Sequence, residues 1–525
     1  MTSIRIGCLV VVALLPSLVA SAPMSASAAA GSPIVATNKG PVRGVATGEM
    51  QAFLGIPYAA APIGDLRWRP PQEHPAWRGV RDASEFGAHC PQVASPYGKP
   101  STSEDCLFLN VFAPGKTNQG RPHLLPVMFW IHGGGLVVGE SDGYDPARLV
   151  AQDVVVVTIN YRLGELGFLA HPALGAESPT GAAGDYGLMD QQAALRWVQR
   201  NIRAFGGDPD NVTIFGESAG ALSVHSQLAS PLAAGLFARA LVESGAYSLD
   251  QPALATAEAT GTAFAARAGC SDQTAACLRS LSVPAILAAQ PAGARPPNVD
   301  GVVLPQTVRA AFASGDFNRV PVIEGSNHDE WRLFVAQTEA ATGTPLTAAQ
   351  YVPAIAATLG VSQAVATVIA AAYPIADYQQ SPSVALGAIG TDAVFACNAR
   401  IAAHLLSQFV TTYQYEFNDP AAAMLYFSKV SFPTGAYHAS ELQSIFDLSE
   451  TPVPNPGLTP AQQDLSDAMV RYWTQFARSS DPNSALDPAW PQYGTSDQFQ
   501  SLQPSTPKTK TDFAADHKCA FWRLN

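Results

Sequence analysis

Residues 212–220, Val-Thr-Ile-Phe-Gly-Glu-Ser-Ala-Gly, carry the pattern that decides the fold. The apolar run Val212–Phe215 predicts a buried strand, and the small residues 219–228 predict a helix. Ser218 stands between them on a tight turn, because the flanking glycines leave room for the bend and for close packing of strand on helix. The helix N-terminus also favours a developing anion there. These residues predict a nucleophile elbow.

The five-residue elbow pattern alone is not specific, because residues 139–143, Gly-Glu-Ser-Asp-Gly, match it too. Asp142, Gly143 and Pro146 make the segment after this second match a loop. Ser141 is therefore predicted to be a turn residue.

A glycine loop precedes the elbow. The apolar residues 129–131 lead through His132 into Gly133–Gly135. A tetrahedral acyl intermediate carries negative charge on the former carbonyl oxygen, and losing one backbone N–H donor to that charge typically raises the barrier by roughly 3–4 kcal/mol. Because glycines allow the backbone to approach closely, this loop is predicted to form the oxyanion partner of the elbow.

The chain resembles the type-B carboxylesterase family, the esterase and lipase branch of the α/β-hydrolases, which also contains cholinesterases and the inactive neuroligins. The resemblance covers nearly the whole mature chain and indicates a secreted, bacterial-type member. It implies an α/β-hydrolase fold, with a large mostly parallel sheet flanked by helices and with helical cap insertions. The shared motifs are Phe53–Ala59, Glu104–Asn110, the glycine loop, Asn160–Arg162, Gly167–Leu169, Gly187–Gln191, Phe205–Pro209 and the elbow.

A serine nucleophile needs a base, and the order in this fold is Ser, acid, His. Three histidines lie well downstream of the elbow: His404, His438 and His517. Residues 435–442 resemble the family's catalytic-histidine loop, so His438 is the predicted base. His404 lies on a predicted apolar helix, 399–409, and is expected to be an ordinary helix residue.

The acid is expected just after the predicted buried strand that ends near residue 325. The spacing in the family implies Glu330. Asp329 stays an alternative on chemistry alone, because a pattern cannot separate adjacent carboxylates. His328 is too near the acid in sequence to be its partner and is expected to face solvent.

The Val/Ile runs 127–131, 154–159, 212–215 and 238–243 alternate with Ala-rich helical patterns, which predicts a mostly parallel sheet with helices on both faces. The motifs spread along one sheet, so residues 31–525 are predicted to form a single catalytic domain with the site at the carboxyl ends of strands. Residues 331–395 are expected to contain cap elements, with ordinary surface helices as the alternative.

The N-terminus predicts export. Arg5 precedes an apolar stretch of about 6–19 and an Ala/Ser-rich segment, so residues 1–30 are predicted to be a signal peptide cleaved after Ala28 or Ala30. Of seven cysteines, Cys8 lies in this leader, and an even number remains, which favours disulfides in an exported chain. The resemblance implies the pairs Cys90–Cys106, Cys270–Cys277 and Cys397–Cys519.

Charge and motifs argue against several classes of partner. A net charge of −12 with 14% charged residues argues against nucleic acid or an anionic membrane. No Cys or His cluster has zinc spacing, and Gly133–Gly135 lacks the lysine of a phosphate loop, so no metal or cofactor is predicted. The apolar leader is too short to span a membrane, so no integral membrane segment is predicted. The oligomeric state is left open.

The substrate is less determined than the chemistry. Cholinesterases place a tryptophan in the first disulfide loop, whereas residues 91–105 here contain Tyr97 and no tryptophan, which argues against choline esters. Leu136 stands where the family often has an aromatic residue after the glycine loop, and it is a candidate pocket wall that would widen or reshape the acyl pocket. Trp331, Leu333 and Phe334 are further candidate pocket walls, each with a core position as the alternative. Glu217 and Ser244 are candidates for ordering water or the histidine, and a strand-end turn is the alternative for Ser244.

The sequence therefore predicts a secreted serine hydrolase of small-molecule or lipid-like carboxylic esters. Ser218 is the expected nucleophile, His438 its base and Glu330 the acid, with the N–H groups of Gly134, Gly135 and Ala219 as the oxyanion hole. Activity is expected to rise through an apparent pKa of about 6.5. Lactones, polyesters or amides are alternative substrates, and a non-catalytic neuroligin-like binding protein is the alternative class.

Overall fold

The Val/Ile runs lie side by side in one sheet. The structure is a computed structural model and describes residues 32–47, 49–115, 123–291, 293–448 and 450–522; the predicted leader, residues 1–30, lies outside them. The strands are β1 (Ile34–Ala36), β2 (Pro41–Arg43), β3 (Val45–Thr47), β4 (Met50–Pro57), β5 (Arg81–Asp82), β6 (Phe108–Pro114), β7 (Leu125–Ile131), β8 (Val155–Ile159), β9 (Gly207–Glu217), β10 (Arg239–Glu243), β11 (Val322–Asn327), β12 (Thr412–Phe417), β13 (Phe499–Leu502) and β14 (Lys508–Lys510).

Eleven of these strands form the main sheet, in the order β14-β13-β12-β11-β10-β9-β7-β8-β6-β4-β3. The strands from β13 to β8 pair in parallel, and antiparallel pairs occur at both edges. The predicted mostly parallel sheet is confirmed. Strands β7, β9, β10, β11 and β12 are neighbours, so the loops that leave their carboxyl ends meet at one edge, as ligand sites in such sheets require.

Strand β7 shows why the sheet is covered on both faces. Its residue Phe129 belongs to one hydrophobic cluster, whereas Met128 and Trp130 belong to another. Side chains alternate along a strand, so a run that is apolar at every position buries both faces. The first cluster includes residues of helices α4 (Tyr186–Asn201), α5 (Ala219–Ala229), α9 (Val308–Ser314) and α14 (Cys397–Ser407), and the second includes residues of α1 (Ala147–Val150) and α15 (Pro460–Ser479). The helices are α1 (Ala147–Val150), α2 (Gly164–Phe168), α3 (Pro172–Gly175), α4 (Tyr186–Asn201), α5 (Ala219–Ala229), α6 (Leu254–Arg267), α7 (Ala275–Ser280), α8 (Val283–Ala289), α9 (Val308–Ser314), α10 (Arg332–Thr342), α11 (Tyr351–Leu359), α12 (Gln363–Ala372), α13 (Pro382–Gly390), α14 (Cys397–Ser407), α15 (Pro460–Ser479) and α16 (Phe513–Asp516).

Residues 331–395 form the helices α10 to α13 and share a separate hydrophobic cluster, to which Val335, Ile355, Ile369 and Ile389 belong. Helix α13 continues through the π-helical residues Thr391–Ala396 into α14. Among the described residues, this run is the one continuous helix that is long and apolar enough to cross a membrane, and 67% of its most apolar window is buried inside the protein. The bent pair α11 and α12 passes the same test only if it is counted as one span.

Candidate active site

The predicted elbow is present. Strand β9 ends at Glu217, and α5 begins at Ala219. Ser218 between them has φ 55° and ψ −120°, a strained conformation for a residue with a side chain. A Cβ atom on Gly220 would lie 1.9 Å from the carbonyl oxygen of Ile131, so glycine is required for α5 to pack directly on β7. The small residue therefore allows the sharp turn that lifts Ser218 out of the sheet.

The glycine loop after β7 contacts the elbow. A Cβ atom on Gly133 would lie 3.1 Å from Cβ of Ser218 and 2.8 Å from Oε2 of Glu217. Gly134 and Gly135 have positive φ values of 98° and 65°. Within the described residues, the backbone N–H groups of these two glycines and of Ala219 donate to no protein acceptor. Donors that lie beside the serine and have no partner of their own can stabilise an anion there.

Glu330 and His438 come together from distant parts of the chain. Glu330 follows β11, and its Oε2 lies 2.6 Å from Nδ1 of His438. Its Oε1 accepts a hydrogen bond of 2.8 Å from the N–H of Asn327, so both carboxylate oxygens are held. The carboxylate of Asp329 instead accepts from the N–H of Ala436 and does not contact the imidazole. Of the two adjacent carboxylates, Glu330 is the one against the histidine.

The other imidazole nitrogen lies against the elbow. Nε2 of His438 is 3.2 Å from Oε1 of Glu217. Within the described part of the chain, no hydrogen bond joins Ser218 Oγ to His438. Contacts between a base and its nucleophile are often open before substrate binds. The structure thus joins Glu330 to His438 and brings the imidazole to the residue beside Ser218.

Buried carboxylates set the electrostatics of the site. Burial alone would lower the pKa of His438, but the charges of Glu217, Glu330 and Glu441 outweigh it and raise the pKa to about 9. Burial raises the pKa of Glu217 to about 8 and, together with the charge of Glu330, raises that of Glu441 to about 7. These groups share protons as one coupled system.

Two further buried residues belong to this carboxylate cluster. Glu441 accepts a hydrogen bond from the side chain of Asn327, and the sequence analysis missed it. Its position three residues after His438 was the available signal. Ser244 is buried directly after β10 and has φ 60°, and within the described residues its hydroxyl has no hydrogen-bond partner. Oε1 of Glu441 and Oε2 of Glu243 likewise have no hydrogen-bond partner in the described part of the chain, so several buried polar atoms of this cluster are not satisfied by the protein.

Aromatic rings surround the histidine. Phe334 and Phe395 lie 5.3 Å and 4.9 Å from the His438 ring, between centroids, and Trp331 lies 4.6 Å from Phe334. Phe395 was missed in the sequence, because it reaches the site through the π-helical turn, which has no sequence pattern. Tyr247 lies 5.4 Å from Phe395 and extends the wall.

Two of the candidate pocket walls are packed in the hydrophobic core clusters. Leu333 is 2% exposed and packs in the core cluster that contains Trp130 and Tyr415. Leu136 is 1% exposed, has φ 60° and packs in the other core cluster. Both side chains are directed into the core, because the direction of a side chain depends on the backbone conformation of the turn that carries it.

The remaining serine and histidine candidates each have a different environment in the structure. Ser141 lies in a buried bend and accepts a hydrogen bond of 3.0 Å from Asn110. His404 is exposed on α14. His517 lies 2.7 Å from both Asp392 and Glu416. The expectation for His328 was wrong: it is half-buried, between Asp329 at 3.1 Å and Asp516 at 3.4 Å.

Disulfides join Cys90 to Cys106, Cys270 to Cys277 and Cys397 to Cys519. One group of possible metal ligands occurs beside the first bridge: side-chain atoms of His89, Glu140 and Asp142 lie within 4.8 Å of one another. Nε2 of His89 contacts Asp142 at 3.0 Å, and the hydrogen bond raises the pKa of His89. The N–H of Lys99 donates to Glu140 at 2.8 Å, which connects the first disulfide loop to the segment after the glycine loop.

Comparison with known proteins identifies the family of this chain. The sequence profile of the carboxylesterase family matches residues 31–522. Acylcarnitine hydrolase of Mus musculus is 36% identical over 502 residues, which cover 88% of this chain and 87% of that protein. Cocaine esterase of Homo sapiens is 35% identical over 529 residues, 94% of this chain and 91% of that protein. Fumonisin B1 esterase of Sphingopyxis macrogoltabida is 44% identical over 311 residues, which cover 57% of this chain and 56% of that protein. This chain therefore belongs to the carboxylesterase family and is a carboxylic-ester hydrolase.

Proposed function

We propose that this chain hydrolyses esters through an acyl-enzyme on Ser218. His438 takes the serine proton at Nε2 as the hydroxyl attacks the ester carbonyl, and then gives the proton to the leaving alkoxide. Glu330 holds Nδ1–H, which orients the ring and stabilises the imidazolium. Water, activated by His438 in the same way, then attacks the acyl-enzyme, which releases the carboxylic acid product and restores the Ser218 hydroxyl. The observation that carries this proposal is the 2.6 Å contact between Glu330 and His438 at the edge of the sheet where the elbow ends.

The oxyanion would be held by the N–H groups of Gly134, Gly135 and Ala219. They come from two adjacent segments, the glycine loop and the first turn of α5, and the first helical N–H groups of a helix need an external acceptor. Glu217 would order the imidazole, because its Oε1 lies 3.2 Å from Nε2 of His438, and the buried hydroxyl of Ser244 after β10 would order bound water.

The proposed substrate is a small ester with an apolar group next to its carbonyl. The rings of Phe334, Phe395 and Trp331 form an aromatic wall beside His438. The carboxylates of Glu217 and Glu441 would repel an anionic group at the same place, since like charges at short range are unfavourable. Relatives named for acylcarnitine and cocaine support a small-molecule ester, and we extend that class to this chain.

We further propose that residues 31–525 act as one secreted catalytic domain. The three disulfides support an oxidising compartment, because such bonds persist mainly in exported proteins. Helices α10 to α13 would form the cap, since Phe334 of α10 and Phe395 beyond α13 lie at the histidine.

A fluorophosphonate probe tests the nucleophile directly. Peptide mapping should find the label on Ser218, and Ser218→Ala should lower kcat on a short 4-nitrophenyl ester on the order of a million-fold while substrate binding survives. Ser141→Ala is the matched control, because Ser141 stands in the second elbow pattern, and it should label and turn over normally. A label on Ser141, or substantial activity in purified Ser218→Ala, would refute the assignment.

A further inference from the structure

The loop that precedes His438 is held by Asp329, through both its main chain and its side chain. The N–H of Asp329 donates to the carbonyl oxygen of Ala436 at 3.0 Å. In return, Oδ2 of Asp329 accepts from the N–H of Ala436, also at 3.0 Å. Two opposite hydrogen bonds to one residue fix both its distance and its rotation relative to the turn that carries Glu330.

The second carboxylate oxygen is held by cations. Oδ1 of Asp329 lies 2.8 Å from Nη2 of Arg332 and 3.1 Å from Nδ1 of His328. Burial would raise the pKa of Asp329, but the hydrogen bond from His328 and the charge of Arg332 outweigh it and lower the pKa. Arg332 also donates to the carbonyl oxygen of Pro433 at 3.1 Å, so it holds the same loop.

The loop is shaped around this carboxylate. Gly435 has φ 59°, and a Cβ atom there would lie 2.1 Å from Oδ2 of Asp329. Further along, the side chain of Asn327 donates to the carbonyl oxygen of Tyr437 at 2.9 Å. The N–H of His438 donates to the carbonyl oxygen of Glu330 at 3.2 Å. Five hydrogen bonds thus join residues 327–332 to residues 433–438, and Asp329 makes the reciprocal pair among them.

We propose that Asp329 is a positioning residue for His438, which it aligns with Glu330 by fixing the backbone at Ala436. This inference rests on the proposed triad. A misplacement of about 1 Å at a reacting group can lower a rate about a hundred-fold, and the imidazole is carried only two residues beyond Ala436. Asp329 does not contact the imidazole, so its effect on catalysis is on geometry.

Steady-state kinetics of Asp329→Ala and Asp329→Asn test the proposal. The alanine variant should lose roughly ten- to a hundred-fold in kcat on a short 4-nitrophenyl ester, with KM within about two-fold and an unchanged apparent pKa. Asparagine keeps an oxygen that can accept from Ala436, so it should recover most of kcat. Asp300→Ala is the matched control, because Asp300 is a buried carboxylate that accepts three backbone N–H groups, from Val302, Val303 and Leu304, outside the site. This control should lower stability but not kcat.

Full kcat in Asp329→Ala, or equal losses in the alanine and asparagine variants, would overturn the positioning role. If Asp329→Ala does not fold, a second pair of variants tests the same contact. Ala436→Pro removes the N–H group that donates to Asp329, and Ala436→Gly keeps it. Equal kcat in these two variants would also overturn the proposal. Fluorophosphonate labelling of the wild-type protein separates the two hypotheses. Absent label at Ser218 contradicts the triad itself, whereas a labelled wild type beside a fully active Asp329→Ala contradicts only the positioning role.

Discussion

Nε2 of His438 lies 3.2 Å from Oε1 of Glu217, the residue that precedes the elbow serine. In the proposed mechanism, the imidazole that accepts the serine proton therefore lies between two carboxylates, since Glu330 holds its other nitrogen. Negative charge on both sides stabilises the imidazolium, which cannot act as a base. This contact predicts how activity depends on pH.

Activity should rise with pH through an apparent pKa above the value of about 6.5 expected for an ordinary histidine. The neutral imidazole is the active form, and the neighbouring carboxylates raise the pKa of His438 to about 9. A raised pKa moves the rise in kcat/KM to higher pH, because the imidazole stays protonated up to a higher pH. The pH profile of kcat/KM on a short 4-nitrophenyl ester, with chemistry rate-limiting, measures this shift.

Glu217→Gln should move the same profile to lower pH, because it removes one of the charges that stabilise the imidazolium. Glu450→Gln is the control, since Glu450 is a half-exposed surface residue paired with Lys99. Identical midpoints in the wild type and Glu217→Gln would show that Glu217 does not interact with the base.

Glu330→Gln should lower kcat about ten-thousand-fold, as when the acid of a serine triad is replaced by its amide. The amide keeps the hydrogen bond from Asn327 but presents N–H to Nδ1, which stabilises the wrong tautomer. Glu324→Gln is the matched control: Glu324 lies on β11, the strand that precedes Glu330, and makes a buried 2.7 Å contact with His225. It should cost stability and leave kcat nearly unchanged; comparable kcat losses in both variants would contradict the assignment.

Stability should fall at alkaline pH through His517. Its two ring nitrogens lie 2.7 Å from Asp392 and from Glu416, and both acceptors are satisfied only by an imidazolium. Burial opposes this charge, but the two carboxylates raise the pKa of His517 to about 10. The folded state then binds more protons than the unfolded state, so the stabilisation is full below about pH 6.5 and is lost as pH rises through about 10.

Denaturant unfolding of the wild type and of His517→Gln between pH 6 and 10 measures this contribution. The neighbouring titratable groups His328 and Asp516 are present in both the wild type and His517→Gln. The difference between the two free energies of unfolding therefore reports on His517 alone. The two free energies of unfolding should converge as pH rises. Parallel pH dependences would contradict a protonated His517.

The Cys397–Cys519 bridge should contribute more stability than Cys270–Cys277. The first spans 122 residues and the second 7. The chain-entropy relation gives about 5 kcal/mol for the long loop and about 2 kcal/mol for the short one. Thermal unfolding of the two paired Cys→Ser variants tests this order, and an equal or larger loss for the short bridge would contradict it.

The sequence alone determined the elements whose residues are neighbours in the chain. The strand, serine and helix at 212–229 and the glycine loop at 133–135 follow from local backbone preferences, so they could be predicted before any packing was known. Local backbone preferences also distinguished the second match to the elbow pattern, because the segment after Ser141 is a loop and not a helix. The apolar residues at every position of β7 likewise indicated a strand buried on both faces.

Tertiary structure decided what depends on side-chain direction and on contacts across the chain. Glu330 and Asp329 are adjacent and chemically alike, and only the turn after β11 directs one to His438 and the other to Ala436. Phe395 and Glu441 enter the site because the π-helical turn and the histidine loop meet there, while Leu136 and Leu333 pack into the core. The physical reason is that a pattern in sequence records local conformation, whereas the position of a side chain is set by the packing of segments that lie far apart in the chain.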